Sequence, residues 1–309
     1  MAELLYQRDV YGKTLVELGK KDEQLVVMDA DLSGSTRTSF FAKEFPDRFF
    51  NVGVAEQNMM TISAGLASCG KTVFVSTFAM FASGRAWDQV RNAICYNNFN
   101  VKIVATHAGI TVGEDGSSHQ ALEDIALMRI IPNMNIIVPC DGPQVREAVI
   151  EAVKRKGPFY IRLGRAKFPS IEGRKPFEFG KAEILTQGDD ISLVACGLMV
   201  QYALNAAAVL QKQGIKARVI NIHTIKPFDN QVIIQAAKQT KGIVVCEEHS
   251  ITGGLACCVD EALIKDCRVN IARVGVENKF GQSGSPKELL EKYGLTSEAI
   301  VEASQSLLS

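Results

Sequence analysis

The chain has no surplus of charge of either sign: 34 Lys and Arg are matched by 34 Asp and Glu over 309 residues. A protein that tracks a phosphate backbone normally carries a basic excess, so this balance argues against a nucleic-acid partner, although a local pocket for a small phosphate is still allowed. No stretch approaches the roughly 18 consecutive apolar residues of a membrane span, so no membrane association is expected. The opening residues, Met1 to Asp9, lack a basic segment followed by an apolar core, and no secretory signal is expected. Eight cysteines, at 69, 95, 140, 196, 246, 257, 258 and 267, form no C-x-x-C pair. Most lie in apolar runs, the pattern of buried, reduced thiols in a cytoplasmic protein. The four histidines, at 107, 119, 223 and 249, form no H-E-x-x-H and no Cys/His cluster, so no metal site is expected on this chain. Neither G-x-G-x-x-G nor G-x-x-x-x-G-K-[ST] follows a strand.

What is present is ordinary globular composition, 47% apolar and 22% charged, on a chain long enough for about two domains. Short runs rich in Val and Ile alternate with amphipathic segments. Leu25–Met28, Thr72–Ser76, Val101–Thr106, Ile136–Val138 and Tyr160–Leu163 read as strands. Tyr11–Lys20, Glu56–Cys69, Gly84–Tyr96, Leu122–Ile131 and Pro143–Lys156 read as helices, the last with Asp141 as cap and Pro143 in its first turn. This alternation predicts an α/β fold with a mostly parallel sheet flanked by helices. Periodicity lapses after Ala166, where two prolines and two glycines fall within a short span.

Alternation then resumes. Ile191–Ala195, Ala217–Ile222, Ile243–Glu247 and Val269–Val274 read as strands, with helices at Gln201–Gln213, Asn230–Gln239, Gly254–Lys265, Pro286–Tyr293 and Ser297–Leu308. The expected organisation is a domain over 1–166, a linker over 167–185 and a second α/β domain over 186–309.

In parallel α/β sheets ligands sit beyond the carboxyl ends of the strands. Candidate loops there are 29–35, 53–57, 77–81 and 107–119, and they concentrate the ionisable residues in the first domain; the second domain's loops hold His223 and Glu247-Glu248-His249. Glu56 opens a helix. A carboxylate in a first turn can simply complement the helix dipole, or, if partly buried, share a proton with a ligand nitrogen. Phe78 and Phe81, three apart, would share one face of a helix, as core or as a cofactor wall. His107 and His119 flank a glycine-rich loop with Gly109, Gly113, Glu114, Asp115 and Gly116, a setting suited to a site as much as to structure. Arg8, Ser35 and Arg165 could each hold a phosphate or serve the surface.

Taken together these loops resemble the thiamine-diphosphate enzymes, and within them the C-terminal portion of transketolase. The segments that carry the resemblance are Asp-Ala-Asp-Leu-Ser-Gly-Ser at 29–35, Phe45–Gln57, Thr106–Gln120, Ile131–Met134, Phe179–Glu183 and Phe280–Gly284, in order along essentially the whole chain. The resemblance implies a pyrimidine-binding domain followed by the transketolase C-terminal domain. It implies that Glu56 hydrogen-bonds N1′ of the cofactor's aminopyrimidine and so promotes loss of the thiazolium C2 proton. Phe78 and Phe81 would pack around the pyrimidine, His107, His119 and Asp115 would contact the sugar, and Arg8, Ser35 and Arg165 would grip its phosphate. The implied reaction moves a two-carbon ketol unit from a ketose phosphate to an aldose phosphate, in pentose recycling or a dedicated catabolic route.

The diphosphate, with Mg2+ or Ca2+, would be held by a partner subunit equivalent to the N-terminal part of a transketolase, in an assembly with two copies of each chain. This sequence has Ala55 and Gln57 where many transketolases have Arg and His, and Gly84 where a third aromatic is usual. The first change also occurs in the deoxyxylulose-phosphate synthase branch, whereas His107 and the Gly113–His119 loop are of transketolase type. The other readings are a synthase-like chain, a ketoacid-dehydrogenase β subunit, and a non-catalytic regulatory homologue.

Overall fold

The computed structural model describes residues 3–264 and 268–309. The expected features on Met1, Ala2, Lys265 and Cys267 lie outside the described residues. The first half of the chain builds a sheet ordered Thr224–Lys226, Asn135–Ile137, Phe159–Arg162, Val101–Thr106, Thr72–Phe78, Leu25–Asp29 and Phe49–Asn51. Six of these strands are parallel. The seventh, Thr224–Lys226, comes from the second half of the chain and runs antiparallel on the edge.

Alternation along the strands decides which face each residue covers. Val26, Met28, Val73, Val75, Ile103 and Ala105 enter one core, with Met59, Met60 and Ala64 of the Glu56–Ser68 helix. Leu25, Val27, Phe74 and Val104 enter the other, with Tyr11 and Leu15 of helix Gln7–Gly19 and Val145, Ala148 and Val149 of helix Gly142–Lys154. Burial on both faces explains why these strands read as near-continuous apolar runs.

The second sheet is ordered Asn270–Val276, Gly242–Ser250, Ile191–Ala195, Ala217–Asn221 and Glu183–Thr186, parallel except for the last. Val194, Ile220, Val245 and Leu255 belong to the same apolar cluster as Met28 and Val75, so the two halves share a core.

The segment 167–185 is bound down along much of its length. Lys167–Pro169 pairs with Leu4–Tyr6, Arg174 ion-pairs with the buried Asp141 at 3.1 Å, and Phe179 packs on Phe159. The helix expected over Gly84–Tyr96 is instead two π-helical stretches, Phe81–Arg85 and Val90–Cys95, around a short α turn at Trp87–Gln89. The widened turns let Phe81 and Arg85 face the site loops, a distortion that periodicity does not encode.

Among the described residues seven cysteines are free thiols; Cys69 is exposed, Cys257 is half-buried and the others are buried. Burial pushes the Cys95, Cys140, Cys196, Cys246 and Cys258 thiols up, which keeps them from being nucleophiles. Among the described residues no helix is long and apolar enough to cross a membrane, and no group of three or more His, Cys, Asp or Glu is placed to hold a metal ion.

Candidate functional site

The site assembles at the carboxyl ends of adjacent strands. Phe78 ends the strand Thr72–Phe78, His107 follows Val101–Thr106 directly, and Asp29 ends Leu25–Asp29. Asp29 is fully buried, and its carboxylate accepts from the hydroxyls of Thr36 (2.7 Å) and Thr38 (2.8 Å) and from the Leu32 N–H (2.5 Å). Burial raises the pKa of this carboxyl, and these donors offset part of the rise. The network closes the 29–38 loop, and the Ser35 carbonyl then receives the Arg8 guanidinium at 3.2 Å.

Glu56 is the first residue of its helix, and its side chain is only 2% exposed. Both carboxylate oxygens accept from one Arg85 nitrogen at 3.0 Å. Arg85 lies over the Phe81 ring, 4.6 Å from guanidinium to centroid, and is itself half-exposed. From Phe81 the contacts continue: to Phe78, stacked at 5.9 Å; from Phe78 to His107, stacked at 3.9 Å; and from Phe81 to His119, edge-on at 5.4 Å. The two phenylalanines therefore do not share a helix face. Phe78 closes a strand and Phe81 opens a π turn, yet their rings are brought together.

His107 is buried, with φ +57°, a conformation uncommon for a residue with a side chain and one that is found at sites where the surroundings impose it. Its Nε2 lies 3.5 Å from an Arg8 nitrogen, which can only donate, so Nε2 accepts and Nδ1 carries the proton. That Nδ1–H donates to the Thr106 hydroxyl at 2.9 Å. Burial first, and then the neighbouring Arg8 and Arg165, lower the His107 pKa to about 3, so the ring is neutral at physiological pH.

A cavity of about 330 Å³ opens beside it, lined by Tyr6, Arg8, Thr111, Glu114, Arg165 and Lys167 among others. Arg165 donates to the Val112 carbonyl and to Glu114, both at 2.6 Å, and so holds the Glu114 carboxyl below the usual range. Arg8, Phe78, Phe81, His107 and His119 are thus joined in one contact chain that reaches Glu56 through Arg85. Ser35 joins it through its backbone carbonyl, Arg165 lines the adjoining cavity, and Asp115 is exposed on the same loop. Arg85 carried no sequence signal, because its pairing with Glu56 depends on the π turn.

These residues suit a flat, nitrogen-bearing heterocycle. A buried carboxylate linked through Arg85 to stacked phenyl rings offers an acceptor for a ring N–H and an apolar wall for its face.

The family description "Transketolase, pyrimidine binding domain" matches residues 5–170, and "Transketolase, C-terminal domain" matches residues 180–300. A protein of Methanocaldococcus jannaschii named as a transketolase C-terminal section is 51% identical over 95% of this chain and 93% of its own length. A 6-deoxy-6-sulfo-D-fructose transketolase subunit of Clostridium sp. (strain MSTE9) is 41% identical over 97% of this chain and 94% of its own. A solved structure described as "Split gene transketolase, inactive beta4 tetramer" superposes with a TM-score of 0.90, at 49% identity, over 98% of each chain. The chain belongs to the thiamine-diphosphate-dependent transketolase family and closely matches the C-terminal section of its split members.

Proposed function

We propose that this chain works with a partner subunit to transfer a two-carbon ketol unit from a ketose phosphate to an aldose phosphate. The observation that carries this reading is the burial of Glu56 and its link through Arg85 to the Phe81 ring, in one contact chain with Phe78, His107 and Arg8. Thiamine diphosphate, when bound, supplies a thiazolium that stabilises the carbanion left when a carbon–carbon bond beside a ketone breaks. Glu56 would hold N1′ of the aminopyrimidine, exchanging its bond to Arg85 for that contact. Phe78 and Phe81 would wall the ring from water, which strengthens the carboxylate's hydrogen bond.

Neutral His107 and half-buried His119 would orient sugar oxygens, and Asp115 would reach a sugar hydroxyl from the loop's exposed side. Arg8 and Arg165, with Ser35 nearby, would hold the phosphate at the cavity through charge-assisted hydrogen bonds. The diphosphate and its Mg2+ or Ca2+ would lie on the partner, in a heterotetramer with two copies of each chain. The boundaries 1–166, 167–185 and 186–309 serve this reading as its two domains and linker. The relative described as an inactive β4 tetramer supports a need for the partner. The named sulfosugar relative supports a sugar substrate without fixing which one.

The test is to isolate the chain from its native cells under mild conditions, identify a co-purifying subunit by mass spectrometry, and assay both forms. The chain alone should show no ketol transfer. In the complex, Glu56→Gln should lower kcat by at least about a hundredfold, with the melting temperature nearly unchanged. Full activity of the chain alone, or of Glu56→Gln in the complex, would overturn the proposal.

A further inference from the structure

The loop that carries His107 and His119 belongs to the first half of the chain, but the second half holds it in place. Glu248, near the end of strand Gly242–Ser250, is almost completely buried, and its Oε1 accepts from the Thr111 N–H at 2.7 Å. Its carboxylate also fills the space above Gly109, where a Cβ would lie 2.3 Å from the carboxyl carbon. Gly109 is in the left-handed region at φ +84°, so both space and conformation exclude a side chain there.

Glu248 is anchored in turn. Arg162 donates to its backbone carbonyl at 2.9 Å and ion-pairs with the buried Asp124 at 2.8 Å. Two further ties act on the same loop from the C-terminal half: Gln120 donates to the Gln282 carbonyl at 2.9 Å, and the Ser283 hydroxyl donates to the Glu114 carbonyl at 2.8 Å. Among the described residues, the turn from His107 to Thr111 thus has one side-chain acceptor from the second half of the chain, and that acceptor is a buried carboxyl group.

We infer that Glu248 is a positioning residue for the sugar-contacting histidines, acting through the Thr111 N–H and the space above Gly109. It touches neither histidine; it fixes the backbone that sets the direction of His107 against Phe78. A loop displaced by about 1 Å costs as much as a hundredfold in rate when the reacting groups depend on it. The inference rests on the proposed function for its kinetic consequence, but its structural part can be read without turnover.

The test uses the full chain labelled with 13C-histidine. Glu248→Ala should shift the His107 ring signal, which reports the stacked Phe78 ring, and that of His119, while His223 stays in place. Glu248→Gln retains an acceptor oxygen and should restore both. In the complex with its partner subunit and thiamine diphosphate, Glu248→Ala should lower kcat/KM for the ketose phosphate by about tenfold to a hundredfold. Glu248→Gln should stay within about threefold of the parent, an allowance far inside that range.

Unmoved His107 and His119 signals in a folded Glu248→Ala would overturn the inference, as would equal losses in the Ala and Gln variants. If Glu248→Ala does not fold, Glu248→Asp, with the same charge on a shorter arm, is read in the same way. A parent complex without ketol transfer would refute the proposed function and leave the histidine readout to decide the inference.

Discussion

His107 is held neutral by burial and by two neighbouring guanidinium groups, and this has a thermodynamic signature. Its folded pKa, about 3, lies below its ordinary value, so between those values the unfolded chain binds a proton that the folded chain refuses. Stability from this residue is therefore present above pH 6.5 and is lost as pH falls towards 3. His223, lowered to about 4 by burial and then by Arg174, acts in the same direction, whereas the raised carboxyls of Asp29 and Glu248 oppose it. The difference between parent and His107→Gln isolates the residue. That difference in unfolding free energy should shrink by about 1.4 kcal/mol per pH unit between pH 6 and pH 4, measured by urea titration. A flat difference would show that His107 titrates normally.

At the scale of elements, Asp141 shows how one side chain can serve two structures. It caps the helix Gly142–Lys154 by accepting from the Gln144 N–H at 2.8 Å, and it holds the following segment by accepting from the Ile171 N–H at 2.9 Å and pairing with Arg174. Asp141→Ala leaves a buried cation with, among the described residues, Glu147 as its remaining ion-pair partner and should cost about 3–5 kcal/mol, read as a lowered urea midpoint. Asp141→Asn, which keeps an acceptor for the cap, should cost less.

The cap and the long strands were legible in sequence, because Asp141 precedes a proline in a periodic segment and Val101–Thr106 is rich in β-branched residues. The three-residue strands Leu4–Tyr6, Lys167–Pro169 and Thr224–Lys226 were not, since their pairing is set by distant partners rather than by their own pattern. In the site, the glycine-rich loop marks His107 and His119 by its composition alone. Glu56 is ambiguous by sequence, as any first-turn carboxylate is, because its burial and its bond to Arg85 depend on tertiary contacts. Arg85 and Glu248 act across contacts that no local spacing announces.

At the scale of the whole molecule, the two halves are joined by a shared apolar core, by the ties on the 107–120 loop and by the edge strand Thr224–Lys226. A fragment ending near residue 180 should therefore be poorly behaved. It would expose Asn135–Ile137 as an unpaired edge and uncover the apolar face that Val194, Ile220 and Val245 otherwise seal. Size-exclusion chromatography should find such a fragment in aggregates, while the full chain elutes as a discrete species; a monodisperse fragment would show that the first half folds by itself.

The edge strand has a further consequence during synthesis. Every parallel strand of the first sheet leaves the ribosome before Thr224–Lys226 exists, so the nascent sheet stays open on one side until much of the second half has been made. Slowed translation between those points would lengthen this exposure, and an order of synthesis that delivers 224–226 early, as in a circular permutant, would shorten it.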